Sequence, residues 1–380
     1  MKERIKAYVD ANREELFSVL RELCLIPAPS HLEDARAAYC KNYLEKAGAK
    51  GVYIDEAKNV IFPLGCEGSD SITVMAAHTD TVFPDTEPMP YVDDGERIHC
   101  PGVGDDTANV VVLMLVAKFM LKEGITPEGG ILFVCNSCEE GLGNLKGCRQ
   151  IFKDYAGRIR QFISFDGYFS ELSDRCVGSH RYEVEVTTQG GHSWSRFGRK
   201  NAIAELSAII GKIYAIDVPH VGDSRTTYNV GTVEGGTSIN TIAQSAKMFC
   251  EYRSDNEECL AIMEAHFKSI FSEANTEEVQ VSVERVGERP CMGKVDLAKI
   301  SRMAEIISGI VEDVVGTAPT PTAMSTDCNI PFSLGIPAAM IGVCSGGGAH
   351  TREEWIGKGD FHLGLEVGIK IALAMTEVTK

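Results

Sequence analysis

An α/β fold carrying a smaller α+β insertion is predicted by three patterns in the 380-residue chain. Short apolar runs rich in β-branched residues end abruptly in His, Asp or Glu. A segment apolar on every side, and so a buried helix, follows a Gly-rich approach. In the middle of the chain the continuous runs give way to apolar–polar alternation, the mark of half-exposed antiparallel strands.

The first run is Ile72-Thr-Val-Met-Ala-Ala-His-Thr-Asp80. Ile72 to Ala77 reads as a strand buried on both faces, with polar groups where it stops. In open α/β sheets ligands bind outside the carboxyl ends of the strands. In an extended His-x-Asp the two side chains project to one side, so Asp80 can accept from one imidazole nitrogen of His78 while the other binds a metal. Taken alone, the pattern fits a surface turn equally well. Its recurrence decides.

Gly102-Val-Gly-Asp-Asp-Thr-Ala-Asn109 leads into the buried helix Val110 to Leu121. Asp105 and Asp106 stand at its N-terminus, where carboxylates are favoured, but capping needs only one of them. Gly130 to Asn136 reads as a second buried strand and runs into Ser137-Cys-Glu-Glu-Gly-Leu-Gly143, with Glu139 and Glu140 adjacent. Phe162 to Phe165 is a third, ending in Asp166-Gly167, and Ala338 to Val343 a fourth, ending in Gly346-Gly-Gly-Ala-His350. Each acid or His singly fits a turn. Four strands delivering a metal-type ligand at the same end do not.

The remaining elements frame these. Met1 to Leu25 places Ile5, Val9, Leu16, Leu20 and Leu23 at helical spacing and reads as a first helix, without the continuous apolar core of an export signal. Leu25-Ile-Pro-Ala-Pro-Ser30 ends it, Glu33 to Ala47 resumes a helical pattern and Val52 to Leu64 reads as a hairpin. Alternation from Arg181 to Thr188 opens the insertion. Val230 to Glu234, Ala246 to Tyr252 and Val279 to Val286 continue as strands, with helices over Asn201 to Tyr214 and Leu260 to Ala274. The insertion covers 178–290, and 1–177 with 291–380 closes into one catalytic domain.

A net charge of −17 argues against nucleic acid and anionic membranes as partners, since both require clustered Lys and Arg. No apolar stretch reaches membrane-spanning length. The thirteen cysteines are scattered without a Cys-x-x-Cys pair, which suits reduced thiols in a cytoplasmic protein.

The strand-end inventory is His78, Asp105, Glu140, Asp166 and His350. Two imidazoles with three carboxylates suit zinc, and cobalt or manganese are compatible. Five ligands exceed what one tetrahedral catalytic zinc takes. They suit two divalent ions sharing a carboxylate and a bridging water. A further carboxylate must then carry the water's proton to the leaving amine, and Glu139 is the candidate general acid/base.

In order and together, His78-Thr-Asp80, Gly104-Asp-Asp106, Cys138-Glu-Glu-Gly141, Asp166-Gly167, Gly190-Gly-His-Ser193, Ser325-Thr-Asp-Cys-Asn-Ile-Pro331 and Gly348-Ala-His350 resemble the M20 (aminoacylase/carboxypeptidase G2-like) zinc peptidases, and most closely the peptidase T-like branch. The resemblance spans nearly the whole chain. It implies a phosphorylase/hydrolase-like catalytic domain with a central mixed sheet and a ferredoxin-like lid and dimerisation domain. It also implies one metal on His78, Asp105 and Asp166 and another on Asp105, Glu140 and His350, with Asp80 orienting His78. In such proteins the first Asp of the pair bridges, and the peptide bond after it is often cis. The lid His, here His192, reaches the partner subunit's site in a homodimer, and Asn240, Arg253 and Thr326 match substrate-contacting positions. By itself His192, after two glycines, is as readily a turn residue, and Arg253 as readily a surface ion-pair partner.

Two departures stand out. Thr107 occupies a position where relatives commonly carry Lys, and Ser193-Trp-Ser-Arg196 replaces a stretch that often holds Pro. Neither position is a ligand.

The resemblance thus implies hydrolysis of short peptides by an aminopeptidase, tripeptidase or dipeptidase, because Asp rather than Glu at 166 accompanies those activities. An N-acylamino-acid deacylase or carboxypeptidase uses the same chemistry with a different pocket. A non-catalytic, metal-dependent peptide-binding dimer would have no need of Glu139.

Overall fold

The computed structural model describes residues 1–377, and the chain forms two compact units, Met1–Cys176 with Gly293–Lys380, and Val177–Met292. The first is built on an eight-stranded mixed sheet. Its strand order is Tyr53–Ile54, Val60–Leu64, Ile131–Asn136, Ile72–His78, Ile159–Phe165, Ala338–Ile341, Glu171–Cys176 and Thr320–Met324. The four strands expected to deliver ligands are neighbours and mutually parallel, so their carboxyl ends lie side by side. Registers of His78 with Asn136 and of Ile341 with Phe165 bring those ends level.

The central strands Ile72–His78, Ile131–Asn136 and Ala338–Ile341 are buried along their whole length, without alternation, because both faces are covered. The helix Ala108–Lys122 lies against the sheet and packs on Arg13–Cys24, Asp34–Lys46 and Phe361–Glu377, which explains why it has no polar face. Its contact with Phe361–Glu377 is close at Gly368, where a Cβ would stand 2.9 Å from Val116 Cγ2 and 3.0 Å from Val112 Cγ1. Leu297–Val315 flanks Phe361–Glu377, with Asp296 Oδ1 accepting from the N–H groups of Ala298 and Lys299 as its cap.

The expected first helix is in fact two, Lys2–Ala11 and Arg13–Cys24. Asn12 separates them at φ −110°, ψ 11°. Its side-chain amide donates to Tyr8 O at 2.7 Å, and this local bond competes with continuation of the helix. Apolar spacing persists across the break, which hid it.

The second unit is an antiparallel sheet ordered Thr226–Gly235, Ser245–Ser254, Gly178–Thr188 and Val279–Arg289, with the helices Ala202–Ile213 and Glu257–Ala274 contributing to one core. In chain order this is βαββαβ, the ferredoxin-like arrangement. Alternation on Gly178–Thr188 buries Tyr182, Val184 and Val186 and turns Glu183 and Glu185 outward. Asn201 and Asn256 cap the two helices by accepting from Ile203 and Cys259 N–H.

All thirteen cysteines are free and buried. Among the described residues no helix is long and apolar enough to cross a membrane.

Phe119 is fully buried in the central helix, with its ring 5.1 Å from that of Tyr8 in an edge contact. Phe119→Ala should lower unfolding free energy by about 3–5 kcal/mol through lost transfer energy and a residual cavity. Ile203→Ala, at an exposed position, should change it by no more than about 0.5 kcal/mol. Guanidinium titrations of the two variants check the contrast, and equal losses would place the core elsewhere.

Candidate metal centre

His78 is the last residue of its strand and is buried. Its backbone N–H donates to Asp106 Oδ2 at 2.8 Å, which fixes where the ring starts. Nδ1 lies 3.1 Å from Asp80 O and 3.4 Å from Asp80 Oδ1. Nε2 faces only further acceptors, Asp105 Oδ1 at 3.0 Å and Asp166 Oδ1 at 3.9 Å.

Asp105 turns its second oxygen the other way, with Oδ2 3.1 Å from His350 Nε2. Glu140 Oε1 is 3.3 Å from the same nitrogen, and its side chain is buried. Donor atoms of His78, Asp105 and Asp166 therefore lie within 4.8 Å of one another, as do those of Asp105, Glu140 and His350. A third grouping joins His78 with Glu139 and Glu140. Asp105 belongs to two of the three. Asp106, its neighbour across a cis peptide bond, is fully buried and holds the His78 backbone instead.

Asp80 organises the far side. Its Oδ1 accepts from Glu139 N–H at 3.0 Å, and Oδ2 accepts from Glu140 N–H at 3.0 Å and from Ser30 Oγ at 2.6 Å. One carboxylate thus sets the His78 ring and the course of the chain through both glutamates. The Glu139 side chain is buried beside this turn.

The electrostatics are those of carboxylates crowded out of water. Burial works to lower the His78 imidazole, but Asp106, Asp105, Asp80 and Asp166 outweigh it and raise it well above its ordinary value. Hydrogen bonds to Asp105 and Glu140 push His350 up to about 10 against its partial burial. Burial, then the Asp105 charge, pushes Glu140 up to about 7, and burial with Asp105, Glu139 and Glu140 raises Asp166. Burial would raise Asp105 too, but its hydrogen bonds to His350 and His78 hold it below the usual carboxylate range. Nitrogen and carboxylate donors of His78, Asp105, Asp166, Glu140 and His350, converging in two groups that share Asp105, fit divalent cations.

Thr326 belongs to this same unit, where its N–H donates to Asn329 Oδ1 at 2.9 Å and its Oγ1 accepts from Cys328 N–H at 3.2 Å. Its polar groups shape a turn. In the second unit, the Gly191–His192 strand pairs with Thr241–Ile242, which sets His192 opposite Thr241 and close in the chain to Asn240. His192 and Asn240 are exposed, and Asn240 O accepts from Ser193 N–H at 3.0 Å. Arg253 is engaged by Glu251 through Nε at 2.7 Å and Nη2 at 3.0 Å.

Sequence reasoning did not single out Ser30, Arg36 or Glu354. Arg36 is fully buried and donates to Ile26 O, Thr79 O and Thr107 Oγ1, tying the His78–Asp80 turn to the residue after Asp106. Glu354 accepts from the N–H groups of Gly102, Gly104 and Asp105. Both sit in stretches whose charge patterning reads as solvated surface, so no local signal marks them.

The family model for peptidase family M20/M25/M40 matches residues 74–374. A peptidase M20 domain-containing protein of Schizosaccharomyces pombe is 26% identical over 281 residues, with 68% of this chain aligned to 66% of that relative, so the chain spans about two-thirds of its length. Aminopeptidase PepT of Bacillus cereus superposes with a TM-score of 0.72 at 21% identity, over 97% of this chain and 99% of that one. A dinuclear metal-binding M20 peptidase of Bacillus subtilis superposes with a TM-score of 0.64 at 13% identity, over 97% and 99%. With the family model matching most of its length, this chain belongs to peptidase family M20/M25/M40, hydrolases of peptide or amide bonds.

Proposed function

We propose that the protein is a cocatalytic dizinc aminopeptidase or tripeptidase acting on short peptides with a free amino terminus. The observation that carries the reading is the two-sided placement of Asp105, with Oδ1 toward His78 and Oδ2 toward His350. His78, Asp105 and Asp166 would hold one ion, and Asp105, Glu140 and His350 the other. Zinc suits this donor set, and cobalt or manganese meet the same atoms. When bound, such a pair supplies Lewis-acid polarisation of the scissile carbonyl and makes water a stronger acid.

The chain's own residues do the rest. Asp80 keeps the proton on His78 Nδ1, which leaves Nε2 as the ligand atom. Glu139 takes a proton from the attacking water on its carboxylate and delivers it to the leaving amine nitrogen. Asp80 also accepts the Glu139 N–H, so the base and the ligand share one anchor. Asp166, where related deacylases and carboxypeptidases tend to carry Glu, supports peptides over N-acylamino acids. In this reading His192 completes the site of a second copy of the chain.

Zinc-loaded protein should hydrolyse a tripeptide with a free amino terminus faster than its N-acetylated twin. The reverse preference would replace this proposal with a deacylase or carboxypeptidase. Glu139→Gln should lower kcat by about 10²–10⁴-fold while metal content stays unchanged. Full activity in that variant would remove Glu139 from the mechanism.

Metal binding should depend on pH in a defined direction. Without a cation, His350 titrates at about 10 and Glu140 at about 7, so both hold protons near neutrality that a cation must displace. Zinc affinity of the metal-free protein should therefore rise from about pH 6 to about pH 8, with proton release. Calorimetry in buffers of different ionisation enthalpy measures both; pH-independent binding without proton release would contradict the assignment.

If His192 acts on the partner's site, mixing inactive His192→Ala and inactive Glu139→Gln proteins should restore activity through hybrid dimers. Demonstrated subunit exchange without recovery would confine His192 to its own subunit or to no role.

A further inference from the structure

We infer that Glu354 is a positioning residue that locks the His350 loop to the Asp105 loop, and that it thereby sets the affinity of one cation more than the other. The inference rests on the dinuclear reading above.

Glu354 is fully buried, four positions after His350 and at the mouth of the short strand Trp355–Gly357. That strand pairs antiparallel with Arg97–His99, in the segment that leads to Asp105. The carboxylate reaches across and collects three backbone donors from the Asp105 loop. Gly102 N–H meets Oε2 at 2.5 Å, and the N–H groups of Gly104 and Asp105 meet Oε1, each at 2.8 Å.

Charge-assisted bonds of this kind are stronger than neutral ones, and three converging on one buried carboxylate leave the loop little freedom. The approach needs Gly104. A Cβ there would stand 2.6 Å from Tyr168 Cε1 and 3.2 Å from Glu354 Oε1. The return path from His350 is tight as well, since Thr351 N–H and Oγ both donate to Gly348 O.

The two ligand sets differ in what else fixes them. His78 ends a core strand and Asp166 directly follows one. His350 lies in a loop with more than half of its side chain exposed. Glu354 is the side chain that joins this loop to the Asp105 carboxylate's own backbone. Its loss should therefore loosen two ligands of one ion, Asp105 and His350, but only the shared Asp105 of the other, whose His78 and Asp166 stay in place.

The test is zinc and cobalt titration of the whole protein, with bound metal counted by mass spectrometry after dialysis against a graded chelator. Wild type should hold two ions. Glu354→Gln keeps the shape but sets its NH2 against one of the three backbone N–H donors, and it should retain one ion at near wild-type affinity. The second ion should bind about 10–100-fold more weakly, the usual cost of removing a partner behind a ligand. His350→Ala, altered in an exposed loop, should give the same profile and cobalt spectrum. If Glu354→Gln fails to fold, Glu354→Asp, charged but one methylene short, takes its place with the same expectation.

Two ions with unchanged affinities in the variant, or equal weakening of both, would overturn the inference, because a merely structural role moves stability without separating the sites. A wild-type protein that never binds more than one ion would instead overturn the dinuclear reading, and this inference with it.

Discussion

The site depends on a buried carboxylate that cannot stand unpaired. Asp80 is removed from solvent, and an ion in that position is costly unless its lone pairs are filled. Ser30, His78 and the N–H groups of Glu139 and Glu140 fill them. Because two of those donors are backbone, the requirement acts on the chain and not only on side chains. The turn after Ile131–Asn136 must bring its amides to the end of Ile72–His78, which the parallel pairing of the two strands makes possible. Satisfaction of one aspartate thereby fixes an imidazole and two glutamates relative to one another.

Around that anchor the chain has gathered more negative charge than its own cations offset. Asp105, Asp106, Glu139, Glu140, Asp166 and Glu354 are grouped with His78 and His350, and the acids Asp106, Glu140, Asp166 and Glu354 are driven above their ordinary values by burial. Such a cluster is unfavourable as a resting arrangement and favourable once divalent charge enters. Arg36 contributes from beneath. Its guanidinium is fully buried, which lowers it, and the Asp80 carboxylate opposes that effect. It bonds the Thr79 carbonyl between His78 and Asp80 and also Thr107. The departure from the family pattern at Thr107 therefore places a small hydroxyl where a buried arginine needs an acceptor.

The parts of the fold that were legible are those where one local rule dominates. Continuous apolar runs marked the parallel strands because both faces are covered, and their polar ends marked residues whose donor atoms the fold gathers into groups that could hold a metal. Alternation marked Gly178–Thr188 for the opposite reason. The break at Asn12 was not legible, since the apolar spacing of the two short helices is continuous and only a side-chain bond to Tyr8 O interrupts them. Arg36 and Glu354 were hidden by a different cause. Glu354 accepts from backbone groups up to 252 positions away, and Arg36 bonds the Ile26 and Thr79 carbonyls and the Thr107 hydroxyl, up to 71 positions away. Residue type and spacing carry no trace of such a bond. His78 and Asp105 were readable because side chains meet side chains there, and composition records side chains.

Arg253 shows how magnitude separates competing readings of a charged residue. A guanidinium on an exposed strand suits recognition of a carboxylate. In this structure Glu251 holds the fork from both oxygens, and Arg181 donates to the same glutamate. The Arg253 side chain is about one-third exposed, so the pair is partly screened and worth at most about 1 kcal/mol. A substrate carboxylate competing for Arg253 thus starts with a handicap of roughly fivefold in affinity, small enough for a well-placed ligand to overcome. Pairing with Glu251 therefore weakens the carboxylate-anchor reading by that factor. Asp166 differs from Arg253 in this respect, because its carboxylate is buried beside His78, Asp105, Glu139 and Glu140.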